Sequence, residues 1–115
     1  MCGVRGEMRI KVTLPMYGIP IIVHVGRDAK EAYVKEVKRH FPEVDENNFT
    51  RGEGMQCGSF IWMEKVHIGT LAHEVSHYID DALEHLGIKD DSGEVRAYMM
   101  GWLIGKLWPK IKDGV

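Results

Sequence analysis

Residues 73–77 read His-Glu-Val-Ser-His, and this run constrains the chain more than any other. Positions i and i+4 of an α-helix lie on one face about one turn apart, so His73 and His77 would present their imidazoles side by side. Two imidazoles at that spacing can bind one Zn²⁺, and Glu74 can then act as general base toward a water held there. The motif has this meaning only on a helix.

The flanking residues predict that helix over residues 70–86. Apolar and aromatic residues recur at helical spacing, and no proline interrupts them. Thr70 is a candidate N-cap, and Gly87 is a typical glycine at the position after a helix end. The predicted apolar stripe consists of Leu71, Val75, Tyr78, Ile79, Ala82, Leu83 and Leu86.

Three further segments favour β-structure. Residues 7–14 alternate polar and apolar side chains, which is typical of a half-buried strand. Residues 19–25 are rich in β-branched side chains, so the two segments predict a hairpin around a turn at 15–18. Residues 43–58 are polar and glycine-rich and predict a long loop, and residues 59–65 predict a third strand.

Two more segments predict helices. Residues 29–41 form an amphipathic pattern after the candidate N-cap Asp28. Residues 93–107 follow Ser92 as a cap, with Pro109 as the stop. The expected fold is α+β in a single domain over residues 1–115, with a sheet of about three strands packed against three helices in the order β-β-α-β-α-α.

The composition is ordinary for a globular domain and argues against several functions. Hydrophobic residues make up 44% and charged residues 28%, and the net charge is −2. Nucleic-acid binding usually requires a concentrated basic surface, and the short basic run at 35–39 is interrupted by Glu36. No apolar stretch has transmembrane length, and residues 1–9 lack the apolar core of a secretory signal. We therefore expect no membrane association and a cytoplasmic location, with Cys2 and Cys57 as reduced thiols.

A catalytic zinc ion needs a third protein ligand and one open position. Glu94 follows His77 by seventeen residues and falls in the first turn of the next predicted helix. A short loop over 87–91 would return that turn toward the histidine helix, so Glu94 is the best-placed carboxylate. The alternative is an acidic first-turn residue that stabilises the helix dipole. Asp80 or Asp81 is a candidate acceptor for the second ring N–H of a liganding histidine.

Residues 71–103 resemble the gluzincin branch of the zincin metallopeptidases. They are similar in particular to small metallopeptidases of this type encoded by bacteriophages and prophages. The likeness has two parts: the run at 73–77, and residues 94–102, which read Glu-Val-Arg-Ala-Tyr-Met-Met-Gly-Trp. Together they match a histidine-bearing helix followed by a helix that begins with glutamate and carries an Ala-Tyr pair and a glycine.

The resemblance implies a minimal zincin-like domain that hydrolyses peptide bonds in a peptide or protein substrate. It implies that His73, His77 and Glu94 bind Zn²⁺, and that Glu74 is the general base and later proton donor. Tyr98 would donate a hydrogen bond to Glu94 or to a developing oxyanion; packing in the core is the alternative role. The strand at 59–63 would line the cleft and hold an extended peptide by β-addition.

Two other interpretations stay open. One is a zinc-binding regulatory or interaction protein of the phage type that kept the site without turnover. The other is a plain α+β interaction domain whose histidines are unrelated to metal. For His24, His40 and His67, which lack partners in the sequence pattern, we expect solvated or hydrogen-bonded structural roles.

Overall fold

The computed structural model describes residues 7–45, 49 and 52–113. Across these residues the chain forms a four-stranded sheet and three helices, so the expected α+β class is confirmed, with one strand more than expected. In chain order the elements are β1 (Met8–Thr13), β2 (Pro20–Val25), α1 (Ala29–His40), β3 (Gly54–Cys57), β4 (Phe60–Met63), α2 (Ile68–Leu86) and α3 (Glu94–Ile111).

The predicted hairpin is present as β1 and β2, which pair antiparallel with Ile10 opposite Val23. The turn between them is closed by two backbone bonds of 2.8 Å, from Leu14 N–H to Ile19 O and from Gly18 N–H to Leu14 O. The two strands differ in pattern because β1 lies at the edge of the sheet, whereas β2 lies inside it and is buried on both faces.

The additional strand is β3, which lies within the segment expected to be a loop. It pairs antiparallel with β4, with Gln56 opposite Ile61. The sheet order is β1-β2-β4-β3, and β2 runs parallel to β4. The strand at 59–63 is therefore an interior strand that is paired on both sides, and the expectation that it holds an extended peptide by β-addition was wrong. The edge strand next to the histidine helix is β3.

The motif helix α2 is confirmed, but its N-cap differs from the expected one. The helix begins at Ile68, and the Nδ1 atom of His67 accepts the N–H of Thr70 at 3.1 Å. Thr70 itself lies inside the first turn. The C-terminus is as predicted: Gly87 has a φ of 70°, and its N–H bonds to Glu84 O at 3.1 Å.

At the start of α3 the capping role belongs to Asp90, two residues before the predicted cap Ser92. The two carboxylate oxygens of Asp90 accept the backbone N–H groups of Val95 at 3.1 Å and Arg96 at 2.8 Å. Ser92 Oγ accepts a weaker bond of 3.4 Å from Glu94 N–H. Asp90 therefore satisfies two of the free N–H groups of the first turn.

The sequence predicted that α3 would end before Pro109, but the helix continues through it. The helix continues to Ile111, which is fully buried, and Lys112 N–H still bonds to Trp108 O at 2.9 Å. A proline in a helix removes one backbone bond at a cost of about 3 kcal/mol. Burial of Ile111 in the core offsets part of that cost at the last turn.

The sheet separates two groups of buried side chains. On one face α2 and α3 pack over the sheet, with Leu71, Val75, Ile79, Leu103 and Leu107 in the main core. On the other face α1 packs through Tyr33 and Val37 against Phe60 and Trp62. No helix in the described ranges is long and apolar enough to cross a lipid bilayer.

Candidate active site

The two motif histidines lie next to each other on the solvent face of α2. Their ring centroids are 4.8 Å apart and the rings are inclined by 82°. Both side chains are exposed, and neither ring makes a hydrogen bond to another described residue. The i, i+4 geometry expected for His73 and His77 is therefore present, with ring nitrogens available to a ligand.

Glu74 points the other way, toward the sheet, and only 7% of it is exposed. Its carboxylate makes no hydrogen bond within the described part of the chain, and its oxygens keep access to the cleft beside it. Burial raises the pKa of Glu74, while the charges of His73 and His77 act in the opposite direction. A carboxylate whose pKa is raised by burial and that opens onto a cleft is a candidate functional group.

The cleft has a volume of about 470 Å³ and lies between the start of β3 and the first turns of α2. Gly54 of β3 passes close to Glu74, a contact that no sequence pattern indicates. His67 also lines the cleft, and because its Nδ1 accepts the Thr70 N–H, the neutral ring carries its proton on Nε2. The lining residues are Gly52, Glu53, Gly54, His67, Gly69, Thr70, His73 and Glu74.

Glu94, the expected third ligand, does not join the histidine pair. It is the first residue of α3, it is exposed, and its carboxylate has no hydrogen bond or ion pair with any described residue. Within the ranges that the structure describes, no group of three or more His, Cys, Asp or Glu side chains is arranged to hold a metal ion. His73 and His77 fit zinc as two of its ligands, and Glu94 as the third stays a prediction.

Arg96 fastens the first turn of α3 to the histidine helix. Its Nη2 donates to the carbonyl oxygen of Ser76 at 3.2 Å and to the Ser76 hydroxyl, and its Nη1 pairs with Asp80. Asp80 is thus bound to an arginine, and Asp81 accepts a 2.6 Å bond from Gln56 Nε2. Neither carboxylate contacts a motif histidine in the way considered from the sequence.

Tyr98 lies at the surface, with 63% of it exposed, and not in the core. It lines the same cavity as Glu94, one turn further along α3, as their spacing predicts. This cavity has a volume of about 300 Å³ and lies between the turn that joins β1 to β2 and one face of α3. Its lining consists of Leu14, Pro15, Met16, Tyr17, Glu94, Val95, Tyr98, Met99 and Trp102.

The buried histidine His24 belongs to a structural network on the α1 side of the sheet. Its Nε2 lies 2.6 Å from Glu36 Oε1, and Arg9 donates two bonds of 2.9 Å to the same carboxylate. The Arg9 guanidinium, together with His24, lowers the pKa of Glu36 to about 2. Burial lowers the pKa of His24, with Glu36 acting in the opposite direction. The expected hydrogen-bonded role of His24 is confirmed.

Comparison with known proteins adds nothing to these observations. No family model matches the chain, and no curated protein or solved structure matches it. The likeness to gluzincins stays a prediction from residues 71–103.

Proposed function

We propose that this protein is a small zinc-dependent metallopeptidase in which His73 and His77 bind the metal and Glu74 is the general base. The observation that supports this proposal most is the environment of the Glu74 carboxylate. Its side chain is largely buried, yet its carboxylate lines a cleft together with His73, one of two neighbouring exposed imidazoles. Burial also raises the pKa of Glu74, and a carboxylate of raised pKa that lines a cleft beside two imidazoles is typical of a site for proton transfer.

When bound, zinc would lower the pKa of a water and polarise a substrate carbonyl. Glu94 is the third ligand in this proposal. Arg96 holds the first turn of α3 against the histidine helix, at Ser76 and Asp80. Because the Glu94 carboxylate has no competing partner in the described structure, its side chain can rotate without breaking a hydrogen bond.

The chain's own residues account for proton transfer and for substrate alignment. Glu74 takes a proton from the attacking water and returns it to the departing amine. The strand next to it, β3, ends the sheet, so its outer backbone groups are available for β-addition of an extended peptide. Gly54 permits that strand to run close to Glu74, which would bring a bound peptide next to the base.

A second candidate is a zinc-binding regulatory or interaction protein of the phage type, without turnover. The position of Glu94, whose side chain lines the apolar cavity and is not gathered with the histidines, favours this candidate. A plain α+β interaction domain without metal is the third.

Metal content separates these proposals first. We expect one zinc per chain in the wild type and loss of zinc in His77→Ala and in Glu94→Ala. His85→Ala is the matched control, since His85 is an exposed histidine in the last turn of the same helix. Wild-type protein that takes up no zinc would leave only the plain interaction domain.

Turnover separates the remaining two. In Glu74→Gln we expect retained zinc and a loss of about 10²–10⁴-fold in kcat, the usual contribution of a general base. Cleavage is measured with zinc-loaded protein and a diverse library of quenched fluorescent peptides. If zinc-loaded wild type cleaves no member of that library, the non-catalytic candidate is correct.

A further inference from the structure

We propose that the apolar cavity between the β1–β2 turn and α3 binds a small organic cation whose charge is surrounded by carbon, such as a trimethylammonium group on a short chain. Three aromatic side chains and one carboxylate line this cavity: Tyr17, Tyr98, Trp102 and Glu94. The cavity shares no lining residue with the cleft beside Glu74, so the inference goes beyond the proposed peptidase function and does not depend on it.

The cavity has the size and the wall for such a ligand. Its volume is about 300 Å³. An apolar cavity of about 150 Å³ already accommodates benzene, so this one has room for a trimethylammonium group with a short chain. A metal ion or a primary ammonium group holds its water strongly and would lose it against these apolar side chains without gaining enough partners. A cation that carries carbon around its charge loses far less hydration.

The aromatic side chains supply attraction for a positive charge. The face of a Tyr or Trp ring is electron-rich, and quaternary ammonium ligands are recognised between such rings. Tyr17 belongs to the β1–β2 turn, whereas Tyr98 and Trp102 follow each other at i, i+4 on α3, so aromatic residues border the cavity on two sides. Trp102 already interacts with one cation, since Lys106 Nζ lies 5.7 Å from the centre of its ring.

Glu94 supplies the countercharge. It is the only charged side chain among the described residues that line the cavity, and it makes no ion pair with any residue that the structure describes. A neutral apolar ligand would take water from this carboxylate without compensation, whereas a cation would pair with it. Zinc bound to Glu94, as in the proposed function, would neutralise the same charge. Binding is therefore measured in protein freed of zinc.

Titration with choline tests the site. The indole N–H signal of Trp102 is followed by NMR in the full-length protein. The indole N–H of Trp62 is the internal control, because it donates to Gly26 O on the other side of the sheet. We expect a saturable shift of the Trp102 signal alone. The neutral alcohol in which carbon replaces the nitrogen of choline should bind at least about tenfold more weakly.

Substitutions with opposite effects test the electrostatics. Glu94→Gln should weaken choline binding about three- to fivefold, because it removes the countercharge at an exposed position. Lys106→Gln should tighten binding by up to about threefold, because it removes a nearby positive charge. Tyr98→Leu should weaken binding about threefold, whereas Tyr98→Phe keeps the ring and should stay within about twofold of wild type. The control Ile68→Gln, at an exposed apolar residue outside the cavity, should leave binding unchanged.

Several results would overturn the cation site. These are absence of a saturable Trp102 shift, equal binding of choline and its neutral counterpart, or binding unchanged in both Glu94→Gln and Tyr98→Leu. A trimethyllysine peptide that binds about tenfold tighter than choline would make a modified protein the occupant. Self-association in sedimentation that Met16→Glu abolishes would make it a second copy of the chain. Glu74→Gln should bind choline as the wild type does, so failure of this site and failure of the peptidase are distinguishable.

Discussion

Gly54 of β3 lies so close to Glu74 of α2 that a Cβ atom at residue 54 would be 3.1 Å from Glu74 Oε2. The same Cβ would be 2.8 Å from Thr70 Cγ2 and 3.2 Å from the backbone oxygen of Trp62. The edge strand and the buried carboxylate are therefore positioned by each other. The four-residue strand β3, which the sequence pattern did not predict, forms one wall of the candidate active site.

Gly54→Ala should destabilise the protein by about 1–3 kcal/mol, because the new methyl group must displace Thr70 or the backbone. Gly101→Ala is the matched control. A Cβ at residue 101 meets nothing within 4 Å, and alanine in a helix interior should stabilise the fold by about 0.5–1 kcal/mol. Urea unfolding measures both variants. Equal effects would contradict the close approach of β3 to α2.

Asp90→Ala should lower the free energy of unfolding by about 1 kcal/mol, since it removes the acceptor for two backbone N–H groups at the start of α3. Ser92→Ala should cost only a few tenths of that, because its single bond is long at 3.4 Å. Thermal unfolding of the two variants measures the difference. A larger loss for Ser92→Ala would restore the capping role first predicted for that residue.

Arg96→Ala should destabilise the protein more than Asp80→Ala. The Asp80 carboxylate is largely exposed, so the ion pair contributes at most about 1 kcal/mol. The bonds of Arg96 to Ser76 are lost only in the arginine variant. We also expect Arg96→Ala to weaken zinc binding about 10–100-fold, as is usual when support for a ligand is removed. Unfolding in urea and a competitive zinc titration measure the two effects. Unchanged zinc affinity would contradict a role of α3 in the proposed metal site.

Stability should fall in acid because of the network of Arg9, His24 and Glu36. The pKa of Glu36 is about 2 in the folded protein against an ordinary 4.5, so its contribution is present above pH 4.5 and is lost as the pH falls toward 2. The lowered pKa of His24 acts in the same direction, since its contribution is present above its ordinary value of 6.5 and is lost as the pH falls below it.

Urea midpoints measured from pH 8 to pH 3 check this prediction. Glu36→Gln should lower stability at pH 7 by an amount on the order of 2 kcal/mol and flatten the acid dependence. Glu31→Gln, at an exposed position on the same helix, is the control and should leave the profile unchanged. An acid profile that is identical in wild type and Glu36→Gln would contradict the role of the network.

Local sequence patterns were enough to predict several elements. The apolar stripe and Gly87 predicted α2 and its end, and the i, i+4 spacing predicted that His73 and His77 would be neighbours. The alternation of β1 predicted the hairpin, and with it the α+β class. These features depend on periodicity and on the φ preference of glycine, so they need no knowledge of distant parts of the chain.

Other features depend on contacts between segments that are far apart in the chain. β3 contains a glycine and a glutamine and becomes a strand only because β4 supplies its hydrogen-bond partners. Burial of Ile111 carries α3 past Pro109. The side chain of Glu94 lies along an apolar cavity whose other wall comes from a turn about eighty residues earlier in the chain. These three features depend on the free energy of contacts between remote segments, which local propensity does not encode.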